Sequence, residues 1–521
     1  MPQFSIITPV YNPPREAFEL CIRSVLQQTN RDWEWCLAND ASTAEWVSTR
    51  LQELQLQDSR IHVVDRSSNG GIVAASNDAI AIAQGEFLVL LDNDDELHPD
   101  ALGLAAEAVK RQPTCDYLYS DENKITPEGE HFDIFAKPTW SPERLLAQNY
   151  TSHLSVLRRS IVEQVGRFRP DFDGSQDYDL ILRVIERART VVHIPHVLYH
   201  WRTLPTSTAS AASAKPYAFV AALKAVKEHL SRTGIAADVS EAGPSLVRVR
   251  RSAKEHPRIT IVLPIDTSSR RIFGVDTPLA RNVTSSLLEK TTYNNYSIIF
   301  VASEQIPDVE LAELVAPFKE RAKTLRVPMK HSLPQYLNSG LIACETSMAV
   351  LLDQHCDFVD GDWIETLLGY ATRDNVAMIA PHLVDQFGTL LSAGLSMTPE
   401  PHEIAQGHHA NDLGPVGMYA MARECFGVST RCALVDAVAI KRVGGFSPDY
   451  SDRWCDFDLA SKLHSVGKHA IITPLVRVRC FDDPAGNDDG RALLEDRWGR
   501  LIGADPFTRV DTRLREPLAM H

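Results

Sequence analysis

Much that would steer the interpretation of this chain is missing from it. No uninterrupted apolar run reaches about 18 residues, so a membrane-spanning helix is not expected; stretches such as Phe87–Leu91 have strand length. The nine cysteines are odd in number and include no C-x-x-C pair. That pattern argues against a disulfide framework or a cysteine-rich zinc site and suits a reducing cytoplasm. Positive charge is scarce: 53 basic against 68 acidic side chains give a formal net charge of −15. Such a field repels a polyphosphate backbone, which excludes nucleic acid as the expected partner but not a small anion held locally or through a metal. The opening MPQFSIITPVYNPP shows no basic segment followed by an apolar one, so no secretory leader is expected. No G-x-G-x-x-G follows the first apolar run, and no glycine- and arginine-rich phosphate loop occurs early in the chain. A dinucleotide dehydrogenase and a nucleotidyltransferase are both unsupported.

What is present is an ordinary globular composition, 44% hydrophobic and 23% charged, over 521 residues. That length has room for two to four domains at roughly 150 residues each. Self-similarity narrows the number. SIITPV at Ser5 is echoed by TIVLPI at Thr260, SVLQQT at Ser24 by SLLEKT at Ser286, and FLVLLDND at Phe87 by MAVLLDQH at Met348. VGRFRPDF with Asp177–Leu180 is echoed by VGGFSPDY with Asp456–Leu459. The order never reverses and the offsets stay between 255 and 279 residues, which points to two copies of one domain. The expected organisation is a first domain over 1–213, a helix and basic connector over 214–257, a second domain over 258–503 and a tail over 504–521.

Each copy opens with a β-rich apolar run, then an amphipathic stretch (Arg15–Gln28 in the first), then another strand such as WEWCLAND. This alternation predicts an α/β fold with a largely parallel sheet covered on both faces, and ligands at the carboxyl ends of its strands. The polar residues fall there: Thr8 to Asn12, Asn39 and Asp40, Asp92 to Asp95. Between the copies, AKPYAFVAALKAVKEHLSRTG reads as a helix stopped by Gly234. The basic run Arg248, Arg250, Arg251, Lys254 and Arg258 reads either as a solvated connector or as a contact for an anionic lipid or lipid-diphosphate acceptor.

LDNDDEL offers carboxylates two apart at a strand end, a pattern that can hold a hard cation such as Mg²⁺ or Mn²⁺ and equally occurs in solvated turns. Asp177 is placed either to act as a base or to cap the helix that follows it. His200, in VLYHWR, reads either as a ligand or as a packed histidine; Trp201 suggests packing and Arg202 a phosphate contact.

Taken together, these residues resemble the family-2 glycosyltransferases of GT-A fold, over nearly the whole chain to about Gly503. SIITPVYN looks like that family's opening strand and loop, which implies donor contacts from Thr8, Pro9 and Tyr11. LANDAS places Asp40 at the acid that reads the nucleotide base, with Asn39 in place of a second aspartate. SNGGIVAASNDAI is similar to the asparagine–glycine loop, implicating Asn69 and Gly70. LDNDD supplies the D-x-D, with Asp94 as metal ligand and Asp92 on the donor ribose or the metal. GSQDYDL puts Asp177 at the catalytic base, with Gln176 for the commoner glutamate. VLYHWR implies His200 as a third metal ligand and Arg202 beside the diphosphate. The tandem layout resembles two-domain enzymes of O-antigen and surface-polysaccharide assembly, many of them rhamnosyltransferases.

The resemblance thus implies an inverting transferase that uses Mn²⁺ or Mg²⁺. Its donor is a dTDP- or UDP-sugar, dTDP-rhamnose among them, and its acceptor a saccharide or lipid-linked glycan. The setting is cytoplasmic, with a peripheral membrane contact and a homodimer both compatible. Transfer to a protein or small molecule, or a non-catalytic nucleotide- or sugar-binding protein, are the alternatives. Copy two has Ser303 for Asp40, His355 for Asp94, and Arg479 or Cys480 for His200, while Asp353 and Asp456 persist. It is expected to be catalytically silent; a modified Asp353–His355 metal site is the alternative.

Overall fold

The computed structural model describes residues 2–203, 216–328, 332–450, 454–481 and 489–509. The described residues divide into two units: one up to Trp140 with Gln148–Gly234, the other formed by Ser141–Ala147 and the described chain from Ile235 onward.

The first unit is built on β1 (Phe4–Val10), β2 (Trp33–Asn39), β3 (Ile61–Asp65), β4 (Phe87–Leu90), β5 (Glu96–Leu97), β6 (Cys115–Ile125), β7 (His131–Phe135), β8 (Ser155–Arg158) and β9 (Thr190–Arg202). In space they run β3-β2-β1-β4-β8-β6-β9-β5, with β7 beside β6. Every residue of β1 and β2 is buried, as the unbroken apolar runs FSIITPV and WEWCLAN require of strands covered on both faces. Helices α1 (Arg15–Leu26), α2 (Glu45–Gln57) and α3 (Gly71–Ile82) return the chain between successive strands, so β3, β2, β1 and β4 are mutually parallel. The sheet is less uniformly parallel than the alternation suggests. β8 is antiparallel to both β4 and β6; between β6 and β8 the chain runs through β7, itself antiparallel to β6, and the short helix Pro142–Ala147. Trp33, Trp35, Phe4, Phe18 and Phe87 form the centre of this unit's core.

The second unit repeats the plan. Its main sheet runs Ala322–Val327, Tyr296–Ser303, Ile259–Ile265, Met348–Leu352, Cys432–Asp436, Val376–Val384, His469–Cys480, Cys356–Phe358. Strand for strand, order and direction match the first sheet. Alternate residues of Ile259–Ile265 face opposite core layers, Ile261 and Leu263 in one and Val262 in the other. The duplication expected from the sequence is thus present as two α/β bodies of one topology.

Two segments behave differently from the linear expectation. The stretch read as a connector supplies a hairpin, Ala237–Gly243 against Leu246–Arg251, after the helix Pro216–Arg232. Within the second unit, Arg250 pairs with Asp362 at 2.6 Å and Arg251 reaches both oxygens of buried Glu143 at 3.0 and 2.7 Å. Glu143 belongs to Ser141–Ala147, which carries Ala147 into a small apolar cluster with Leu246 and Met421. Arg373 joins Glu143 (3.4 Å) to Glu424 (2.5 Å), so this polar core is closed by alternating charges.

No helix among the described residues is long and apolar enough to cross a membrane. All nine cysteines are buried and free.

Candidate functional site

Because β1, β2 and β4 are parallel, their carboxyl ends meet at one edge of the first sheet, and the polar residues that follow them collect there. Thr8 and Pro9 are buried within that edge: the Thr8 hydroxyl accepts from Trp35 Nε1 at 3.0 Å, and the Pro9 carbonyl accepts from Asn93 Nδ2 at 2.8 Å. Tyr11 stands beyond them, 48% exposed.

Asp40 follows β2 and is turned inward. Its oxygens accept from the backbone N–H groups of Gly70 and Gly71, each at 2.8 Å, and lie 2.9 Å from Arg66 Nε. Gly71, at φ +80°, supplies the left-handed turn that aims successive amides at one carboxylate. Asn69 Nδ2 donates to the Asp40 carbonyl at 3.4 Å. The residue expected to read a base therefore anchors the Asn69–Gly71 loop. Asn39 is likewise committed, donating to Asp65 at 2.8 Å.

The turn after β4 holds the acids. Asp95 is almost fully buried; it accepts from the Tyr199 hydroxyl at 2.5 Å and from the Arg202 backbone N–H at 2.8 Å. Tyr199 in turn accepts from the Asp92 N–H at 3.3 Å, tying β9 to the turn. Burial, with Asp94 and Asp92 as like charges, pushes the Asp95 carboxyl well up. Asp94 is pushed up to about 6 by burial and by Asp92 beside it. Three carboxylates in four residues, two disfavoured in their charged form, make a corner that a cation would relieve.

Ligand atoms of Asp92, Asp95 and His153 lie within 4.8 Å of one another. His153 is held from both ends: its N–H donates to Glu122 at 3.1 Å, and its carbonyl accepts from the fully buried Lys137 ammonium, which also bonds Glu122 (2.8 Å) and the Thr151 carbonyl (2.9 Å). Its ring stacks on Tyr199, centroids 4.4 Å apart. Two carboxylates and an imidazole are a donor set that can hold a divalent cation. Sequence reasoning passed over His153, since TSHLS carries no local motif.

His200, expected as the third ligand, stands opposite Glu96 in the β5–β9 pairing. His200 Nδ1 is 2.7 Å from Asn123 Oδ1, and its ring packs edge-on to His131 at 4.6 Å. Burial and the neighbouring His131 and His98 push it down to about 3, so it stays neutral. Arg202 is buried, with Nε donating to the Asp94 carbonyl at 3.0 Å and its Nη2 paired to Glu96. It braces the acidic turn through these contacts.

Asp177 sits in the first turn of the helix Gln176–Ile185, one residue inside its start, so it is not the residue that caps it. Asn149 Nδ2 donates to its Oδ2 at 2.9 Å. Its carboxyl is raised by burial, with His153 opposing and Asp92 adding to the shift, which places all three in one electrostatic neighbourhood.

Residues 5–166, which include all of β1 but Phe4, the acidic turn and His153, match the family described as Glycosyl transferase family 2. These residues belong to that family. Over nearly its whole length, the chain is 32% identical across 485 residues to the uncharacterized protein y4gI of Sinorhizobium fredii, covering 91% of this chain and 52% of that one. It is 30% identical over 481 residues to the O-antigen biosynthesis protein RfbC of Myxococcus xanthus, covering 92% of this chain and 37% of that one. The chain therefore spans about half, or less, of these two relatives. A shorter relative, the putative colanic acid biosynthesis glycosyl transferase WcaA of Escherichia coli, is 28% identical over 209 residues, 37% of this chain and 74% of that protein.

Proposed function

We propose that the family-2 domain transfers a sugar from a nucleotide-diphosphate donor to a saccharide or lipid-linked glycan acceptor, with inversion, in the assembly of a surface polysaccharide on the cytoplasmic side of the membrane. The observation that carries this reading is the convergence of Asp92, Asp95 and His153 at the strand ends, with Asp94 adjacent and Asp177 within reach of their field.

Asp92 and His153, with the Asp94–Asp95 turn, would hold Mn²⁺ or Mg²⁺. Such an ion supplies charge stabilisation to a departing diphosphate. The remaining work falls to the chain's own groups. Asp177, its charged form disfavoured by burial and by Asp92, is matched to accept the proton of an attacking hydroxyl. One base apart from the acidic turn corresponds to a single displacement, since a covalent route would need a second carboxylate as nucleophile. Asn149 orients the Asp177 carboxylate, and Lys137 fixes the segment bearing His153. Asp40 shapes the Asn69–Gly71 loop, against which a donor base would lie. The preference for dTDP- or UDP-sugars, dTDP-rhamnose among them, rests on the family resemblance.

The test is a panel of nucleotide sugars with Mn²⁺ or Mg²⁺, following nucleoside diphosphate released by slow hydrolysis without acceptor. One preferred donor, lost with Asp177→Asn only in transfer and with EDTA in both reactions, is expected. Silence across the panel in a folded protein overturns the reading.

A further inference from the structure

The second unit presents the same strand-end corner with a different set of charges. Strand pairing fixes the correspondence. Ser5 lies opposite Leu88 and Leu88 opposite Leu157 in the first sheet; Thr260 lies opposite Ala349 and Ala349 opposite Val435 in the second. Counting along these strands, the counterparts of Asp92, Asp94, Asp95 and His153 are Asp353, His355, Cys356 and Arg431.

Each exchange acts in one direction. A guanidinium has five donors, no acceptor and a permanent charge, so Arg431 cannot ligate a cation and instead brings one. Its Nη1 bonds Ser429 at 3.2 Å and lies 3.6 Å from Glu403. Cys356 is buried and its thiol donates to the Arg431 carbonyl at 3.3 Å. Asp353, the one retained acid of the turn, accepts from the His355 backbone N–H at 2.8 Å and lies 2.5 Å from His355 Nδ1. Although burial opposes it, His355 and Arg431 hold the Asp353 carboxyl below the usual carboxylate range. Asp456, the counterpart of Asp177, is buried and takes both the hydroxyl (2.5 Å) and the N–H (3.0 Å) of Thr430. Every acid of this corner is already answered from within the second unit. In the first unit, the Arg202 guanidinium gives its Nε to the Asp94 carbonyl and its Nη2 to Glu96, while burial and Asp92 still leave the Asp94 carboxyl raised.

We propose that Arg431 is the second unit's built-in cation, standing in the place a divalent ion takes in the first unit, so that this corner binds no metal and the chain carries a single metal site. The proposal rests on the reading of Asp92 and His153 as that site.

The experiment counts Mn²⁺ bound to the full chain from the loss of the free-ion electron paramagnetic resonance signal, with Mn²⁺ alone as the probe. Wild type and Asp353→Asn are expected to bind one ion each, and Asp92→Asn none. Restoring first-unit chemistry on the Asp92→Asn background, with His355→Asp, Cys356→Asp and Arg431→His, is expected to raise the count from none to one ion. Two ions in wild type, or an ion left in Asp92→Asn that Asp353→Asn removes, overturns the proposal without need of the restored variant. So does a restored variant that melts like its parent and binds nothing. Wild type binding none while the restored variant gains one sinks the reading of the first site and sustains the proposal for the second.

Discussion

Replacing Asp94 with asparagine should make the metal-free protein more stable while destroying its activity. Asp94 is partly buried and faces Asp92, and its carboxyl is pushed up to about 6 from an ordinary 3.8. The native state therefore holds a proton there that the unfolded chain has already lost between pH 3.8 and 6. Stability falls as pH rises through that window and is flat above it. The rise corresponds to about 3 kcal/mol held against the ionised fold at neutral pH, an upper value because water reaches the side chain. Asp94→Asn keeps the shape and removes the charge, so it should recover most of that amount above pH 6.5 and almost none at pH 4. For a unit of this size the gain is a melting-temperature rise of about 6–12 °C. The assay is scanning calorimetry or urea unfolding in EDTA at pH 4.5, 5.5 and 7.5, repeated with Mn²⁺. The ion should restore the wild type and shrink the difference. A variant no more stable at pH 7.5, or equally more stable at every pH, refutes the electrostatic account of this turn.

Other consequences can be measured separately. Asp177→Asn should lower kcat for transfer by about 10²–10⁴-fold while donor affinity is unchanged, because a base acts after binding. His153→Ala should raise the Mn²⁺ concentration needed for half-maximal activity by about tenfold or more, whereas His200→Gln should leave it in place; the reverse outcome would restore His200 as the ligand. In the second unit, Arg251→Met leaves buried Glu143 with Arg373 at 3.4 Å as its one cation among the described residues, and denaturation should show a loss of about 3 kcal/mol. No loss there would mean that Arg373 alone satisfies the carboxylate.

What the sequence reveals and what it hides divide along physical lines. Strands buried on both faces must be continuously apolar, so FSIITPV, WEWCLAN and FLVL are legible as they stand. The duplication is legible because register preserves spacing: four echoes in order become two sheets of one strand order. The helix Pro216–Arg232 ends two residues before Gly234, whose φ of +66° is what a glycine after a helix allows. The acidic turn is legible for its charge. Its partners are not, since His153 owes its position to Lys137, Glu122 and Tyr199, which no short motif connects. Asp40 faces inward because Gly70 and Gly71 lie 30 residues away in a loop whose amides are invisible to composition. The run Arg248 to Arg258 reads as a solvated connector or as a contact for an anionic lipid or lipid-diphosphate, yet Arg251 is buried against a carboxylate 108 positions earlier.

That last pairing bears on how such a chain can be inherited and rearranged. Domains laid end to end by duplication are ordinarily exchangeable at the junction between them. Here Ser141–Ala147 lies with the second unit although it is encoded in the middle of the first. A chimera joined at Gly234 to a foreign first half would deprive Arg251 of Glu143 and Glu424 of Ser141. The halves have diverged in chemistry, but each recombination that separates them must also carry this borrowed segment. The duplicate is free to change its residues and not free to leave.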